Sequence, residues 1–85
     1  MIYPTIHLNG TSKESLLEDI EKAYAAIGEA QQALAQMTPN GRDYYPQGPD
    51  AIYKALEEHR QRQQKLEDVR KELQDIAEHI TEVQS

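Results

Sequence analysis

The segment Asn40-Gly-Arg-Asp-Tyr-Tyr-Pro-Gln-Gly48 carries the side chains best suited to chemistry in this chain. Tyr44 and Tyr45, adjacent in sequence, are two of its five tyrosines. Their rings offer flat faces to a base or to a partner's side chain. Arg42 can clamp a phosphate or carboxylate through two parallel hydrogen bonds. Tyrosine and arginine are also favoured anchors at interfaces. The same residues have a purely structural use, in which one tyrosine plugs the end of a helical hairpin and Arg42 pairs with Asp43 or Asp50. A second polar segment, His7-Leu-Asn-Gly-Thr-Ser12, suits an anion, because free amides point outward where a helix begins. It lacks the Gly-Lys-Ser/Thr ending of a P-loop. A turn followed by a helix cap explains every residue in it except His7. The candidate ligand-binding set is therefore Arg42, Tyr44, Tyr45, His7, Asn9, Thr11 and Ser12.

Other reactive types do not assemble in sequence. His79 and Glu82 stand one turn apart without a third ligand, so neither metal nor cofactor is expected. Ser12, Ser15 and Ser85 fall at a cap, a first turn and a terminus. No nucleophile stands beside a base, and the chain reads as a non-enzyme. His59 and Gln63 interrupt an otherwise apolar helical seam. They suit a polar layer that sets register or oligomer state, the lining of a ligand pocket between subunits, or a simply solvated stretch, His59-Arg-Gln-Arg-Gln-Gln-Lys65.

The elements that must position these groups are two helices. The first helix starts at Thr11 or Ser12, and Thr11-Ser-Lys-Glu14 matches a capping box with Thr11 as its first residue. Leu16, Ile20, Ala23, Ile27, Ala30, Leu34 and Met37 then follow in steps of four and three, a heptad seam that Leu17 and Tyr24 widen. The first helix is expected over about 12–37, with Pro39 stopping it at Thr38. Residues 38–50 form an ordered loop, punctuated by glycine and proline. The second helix, opened by Gly48-Pro49-Asp50, runs over about 50–83. Its seam reads Ile52, Leu56, His59, Gln63, Leu66, Leu73 and Ile80, with Val69, Ile76 and Val83 on the flank. Glu58 with Arg62 and Glu67 with Lys71 are favourable pairs four residues apart. Residues 1–10 alternate with a period of two, which makes them extended, and Pro4 limits any strand to an edge. At ~1.5 Å per residue the helices span ~39 Å and ~50 Å. The second should therefore overshoot the start of the first, and Ile2, Ile6 and Leu8 are placed to cover Ile76, Ile80 and Val83.

Size and charge bound the rest. Eighty-five residues make one domain, 1–85, near the lower limit for a self-sufficient core. There is no cysteine to staple it, so burial against a second copy is the expected remedy. Ile2, Ile6, Leu8, His59, Gln63, Ile76 and Ile80 are the candidate interface. A net charge of −6 argues against non-specific nucleic-acid binding. No apolar run reaches the ~20 residues of a membrane span. With no secretory leader visible, the cytoplasm is the default compartment.

The segments Tyr3-Pro-Thr-Ile-His-Leu-Asn-Gly-Thr-Ser12 and Asn40-Gly-Arg-Asp-Tyr-Tyr-Pro-Gln-Gly48, followed by Glu58-His59-Arg60, resemble a family of small phage and prophage proteins across almost the whole chain. The resemblance implies an origin and, by context, a role in countering host defence. It implies no residue roles.

The expectation is thus an all-α protein: an antiparallel two-helix hairpin with a short extended N-terminal segment, assembled as a homo-oligomer. It would bind without turnover, sequestering a nucleotide-like signal at a subunit interface in an infected or lysogenic bacterium. The alternative is an adaptor or inhibitor acting on a host or virion protein through its acidic helices or its central loop.

Overall fold

The computed structural model describes residues 1–83, the side chain of Val83 excepted. The expectation for that side chain lies outside the described residues. Two α-helices, α1 (Lys13–Ala35) and α2 (Ala51–Val83), fold back on each other as an antiparallel hairpin. Two single-turn 3-10 helices, Gly41–Asp43 and Tyr45–Gln47, occupy the connection. No strand occurs among the described residues, and residues 1–7 form a segment without regular structure. The molecule is a rod of 61 × 21 × 18 Å.

Each helix end has a local cause. Ser12, not Thr11, caps α1: its extended backbone (φ −63°, ψ 152°) aims the hydroxyl at the Ser15 amide, which donates to it at 3.1 Å. Starting one residue later than a Thr11 box requires, the helix places Glu14 in its first turn. There the carboxylate favours the positive end of the helix dipole. At the other end α1 stops at Ala35, two residues short of the expected Met37. Thr38, held out of helical geometry by Pro39, donates from its hydroxyl (2.6 Å) and its amide (3.3 Å) to the Ala35 carbonyl. Gly48 has φ 115°, a conformation that favours glycine. It turns the chain into Pro49-Asp50, and the Asp50 carbonyl then accepts from the Tyr53 amide.

The helices meet along a face rotated from the expected seam. On α1 the half-buried positions are Leu16, Leu17, Ile20, Tyr24, Ile27, Gly28, Gln31 and Leu34, whereas Ala23, Ala30 and Met37 are exposed. On α2 the line runs through Ile52, Ala55, His59, Gln63, Leu66, Arg70, Leu73, Ala77 and Ile80, and Leu56 turns outward. The rotation follows from Arg70. Its guanidinium lies 4.2 Å over the Tyr24 ring and against Gly28, so α1 presents Tyr24 and Gly28 to it rather than Ala23 and Ala30. An added β-carbon on Gly28 would meet the guanidinium at 3.5 Å, an ordinary contact. The glycine is tolerated there rather than required.

Register is also corrected. Tyr24 lies beside Arg70, Gln31 bonds to Glu67, and Thr38 reaches His59. These pairings put the start of α1 level with the end of α2. The overshoot of α2 therefore falls at the loop end, where residues 51–60 run beyond α1 and the connection covers Ala55. The N-terminal segment nevertheless packs on the last turns of α2. Tyr3 stacks on His79, with centroids 4.1 Å apart and planes 10° from parallel, and the neighbouring Ile80 is fully buried. The period-two reading chose the wrong parity in part. Ile6 is half-buried, but Ile2 and Leu8 stand out in solvent while Tyr3 takes the inward contact. The expected pairs Glu58–Arg62 and Glu67–Lys71 are absent among the described residues. Glu67 is turned inward to Gln31, and the ion pairs that form are Glu18–Lys22 (3.2 Å) and Glu57–Arg60.

Ile80→Ala should lower stability by ~2–4 kcal/mol, as deletion from a filled site does. Ile2→Ala should change it by less than ~0.5 kcal/mol, and Gly28→Ala should raise it by ~0.5–1 kcal/mol. Urea titrations followed by circular dichroism would order the three.

Candidate functional site

Local hydrogen bonds hold the loop in a defined shape. The Asn40 side chain accepts from the Arg42 amide at 3.0 Å and donates to the Asp43 carboxylate at 3.2 Å. Asp43 is thereby engaged by Asn40 and not by Arg42. The Arg42 side chain is exposed and makes no ion pair among the described residues. The tyrosines divide: Tyr44 is half-buried, while Tyr45 leaves 75% of its surface in solvent. Tyr44 suits the plugging role and Tyr45 the recognition role, so the two uses weighed for this dipeptide fall to different residues.

At the other end, His7, Asn9, Thr11 and Ser12 are all exposed. The Gly10 amide donates to the His7 carbonyl at 3.1 Å, closing the turn. A β-carbon on Gly10 would come within 2.7 Å of His7 Nε2, so the imidazole folds over the turn, and a side chain there would displace it. The Ser12 hydroxyl accepts from the α1 cap amide. The 23 residues of α1 separate this turn from the loop, about 34 Å by helix rise. One chain therefore does not bring the two candidate groups together.

The structure reveals a third polar region that the heptad reading passed over. Gln31, Arg60, Gln63, Gln64 and Glu67 line an open cleft along one flank of the hairpin. The Gln31 amide donates to the Glu67 carboxylate at 2.7 Å. Beside it, Arg70 Nε is buried with no hydrogen-bond partner, and the face of the Tyr24 ring takes the cation. The signal was present in the spacing, since His59, Gln63, Leu66, Arg70, Leu73, Ala77 and Ile80 step by four and three without a gap. An arginine at the centre of that series marks a cation drawn into the seam. His59, 4% exposed, sits 3.4 Å from the Thr38 hydroxyl. His59 and Ile80 are enclosed within one chain and leave no surface for a second copy, whereas Gln63 and Ile76 remain half-exposed.

No family model, curated protein or solved structure matches the chain. The reading of the site therefore rests on its own geometry. Among the described residues no three histidine, aspartate or glutamate side chains gather in a metal-holding group. His79 is occupied by its stack with Tyr3. No helix among those residues is long and apolar enough to cross a membrane.

Asn40→Ala should cost about 1 kcal/mol and release the Arg42 amide. Hydrogen exchange would show faster exchange at residues 42–44 with α1 and α2 unchanged. Unaltered exchange there would mean that Asn40 does not order the loop.

Proposed function

We propose that this chain is a non-catalytic binding module of the phage type, which sequesters a nucleotide-like anion through its central loop and N-terminal turn. The observation that carries the reading is the state of Arg42 and Tyr45. A cation without an ion pair and an aromatic face three-quarters exposed stand three residues apart on a loop fixed from beneath by Asn40. Stacking on Tyr45 and a two-pronged contact from Arg42 are what a base and a phosphate require. His7, Asn9, Thr11 and Ser12 add polar contacts from a second copy, because their own chain holds them at the far end of the rod. The host of an infecting or resident phage, in its cytoplasm, is the setting this function suits.

The alternative, an adaptor or inhibitor of a host or virion protein, draws support from α1. Glu14, Glu18, Asp19, Glu21 and Glu29 are all exposed there, and together with the net charge of −6 they would steer the rod to a basic surface.

Calorimetric titration with linear and cyclic nucleotides tests the leading reading. Binding at micromolar Kd is expected, weakened at least ~10-fold (~1.4 kcal/mol) by Arg42→Ala and by Tyr45→Ala. No heat from any nucleotide, together with a stoichiometric protein captured from host lysate, would move the assignment to the adaptor.

A further inference from the structure

The two flanks of the hairpin differ in chemistry. One holds the cleft of Gln31, Gln63 and Glu67 and, further along, a groove of Leu17, Ile20, Tyr24 and Ala77. On the other, Ala23, Ile27 and Ala30 of α1 stand beside Leu66, Val69 and Leu73 of α2. Ala23 and Ala30 are exposed, Val69 is 45% exposed, and the rest are half-buried. We infer that this flank is the seat of a second copy of the same chain. The copies would lie antiparallel about a two-fold axis near Ile27 and Val69, and the loop of each would come against the N-terminal turn of the other. This inference deepens the binding reading above and rests on it for the identity of the ligand, though not for the dimer itself.

Four observations select this occupant and this direction. The first is area. The chain exposes 6559 Å², whereas a compact protein of 9.7 kDa exposes about 5,100 Å². The excess, about 1,400 Å², is spread over a rod of 61 × 21 × 18 Å, and a second copy laid along one side can cover the ~800 Å² that each partner gives to a stable interface.

The second is pattern. Both helices carry steps of four and three, the spacing of bundle seams, and alanines let a second helix approach closely. The unused part of the α1 heptad, Ala23, Ala30 and Met37, is the part the intramolecular rotation left outside.

The third is charge. Asp19 stands near the start of α1, and Arg62 lies level with its last turn, about 23 Å away along the rod. Both are exposed and fall on or beside the apolar flank. An axis near Ile27 is almost equidistant from the two levels, so reversal sets the carboxylate end of one copy against the guanidinium end of the other. A parallel pair would set like against like.

The fourth is the placement of the most exposed apolar side chains. Ile2 (94% exposed) and Leu8 (98%) lie at one end of the rod, and Met37 (70%) and Tyr53 (69%) at the other. The antiparallel pairing brings Ile2 and Leu8 to the end that carries Met37, while Tyr53, about 160° around α2 from Val69, stays outside the contact. A parallel pairing would also crowd both N-terminal segments, which thicken the flank over Ile80, into the same end.

The product is a four-helix bundle with two equivalent composite sites. Each takes Arg42 and Tyr45 from one copy and His7, Asn9, Thr11 and Ser12 from its partner. The ~34 Å gap within one chain then ceases to matter.

The tests use sedimentation equilibrium and cross-linking of the intact chain. At tens of micromolar the expected mass is twice the 9.7 kDa of the chain. Ala30→Glu and Val69→Glu, both at positions exposed in the single hairpin, should each shift it to the monomer with helical circular dichroism retained. Gln64→Glu, on the opposite flank, should leave the dimer intact. Direction is read by mixing Ala23→Cys and Ala30→Cys chains under mild oxidation. The antiparallel pair predicts a mixed disulfide in excess of either self-linked product. A strict monomer would overturn the proposal, as would a dimer indifferent to both glutamates or a cross-link pattern without the mixed product. A dimer that passes these tests yet binds no nucleotide would overturn only the ligand reading.

Discussion

The contact of Arg70 with Tyr24 is the constraint from which the rest of the architecture follows. A guanidinium drawn into the seam between two helices leaves its water behind, and among the described residues the Nε finds no hydrogen-bond acceptor. The electron-rich face of the tyrosine compensates in part. Gly28 leaves ordinary van der Waals space beside the cation. One turn further along, Gln31 bonds to Glu67. Unlike the interchangeable contacts of leucine with leucine, these polar pairings exist in one register only. A half-buried polar layer of this kind fixes alignment at some cost in stability, as single polar positions do in coiled coils.

Two consequences of that alignment shape the surface. Rotation of α1 toward Arg70 takes Tyr24 and Gly28 into the pair and leaves Ala23 and Ala30 outside, so the apolar stripe of α1 is wider than the contact it makes. The register sets α1 level with the far end of α2, so the first ten residues of α2 extend beyond its partner. The connection between residues 38 and 50 has a helix surface to lie on, which is why Ala55 is buried and Tyr44 half-buried. With that support beneath it and Asn40 bonding across it, the loop presents Arg42 and Tyr45 outward from a defined backbone. The groups most suited to recognition owe their order to the polar contacts that align the helices.

The hairpin leaves its two polar segments at opposite ends and much of its apolar surface in solvent. Only Ala55, His59 and Ile80 are buried among the described residues, fewer than a small domain needs for its core. Apolar surface is exposed on both flanks, at Val69 on one and along Leu17, Ile20, Tyr24 and Ala77 on the other, and the candidate polar groups lie at the two ends.

Much of this was legible in the order of residues. Heptad steps gave two helices, Pro39 and Gly48 gave the bend between them, and Asn40-Gly41 and Asn9-Gly10 gave the turns, because these signals act within a few residues of one another. The prominence of Arg42 and Tyr45 was legible for the same reason. Other features depended on which residues meet across the pair. Apolar periodicity specifies a stripe but neither its centre nor its axial offset, so the rotation toward Tyr24 and the overhang at the loop end could not be read from it. The inward turn of Tyr3 rather than Ile2 depended on His79, seventy-six residues away, offering a ring to stack on. Local sequence determined the elements and the bend, since turn chemistry and helical period are short-range. The tertiary structure decided register and rotation, since those follow from contacts between residues remote in the chain.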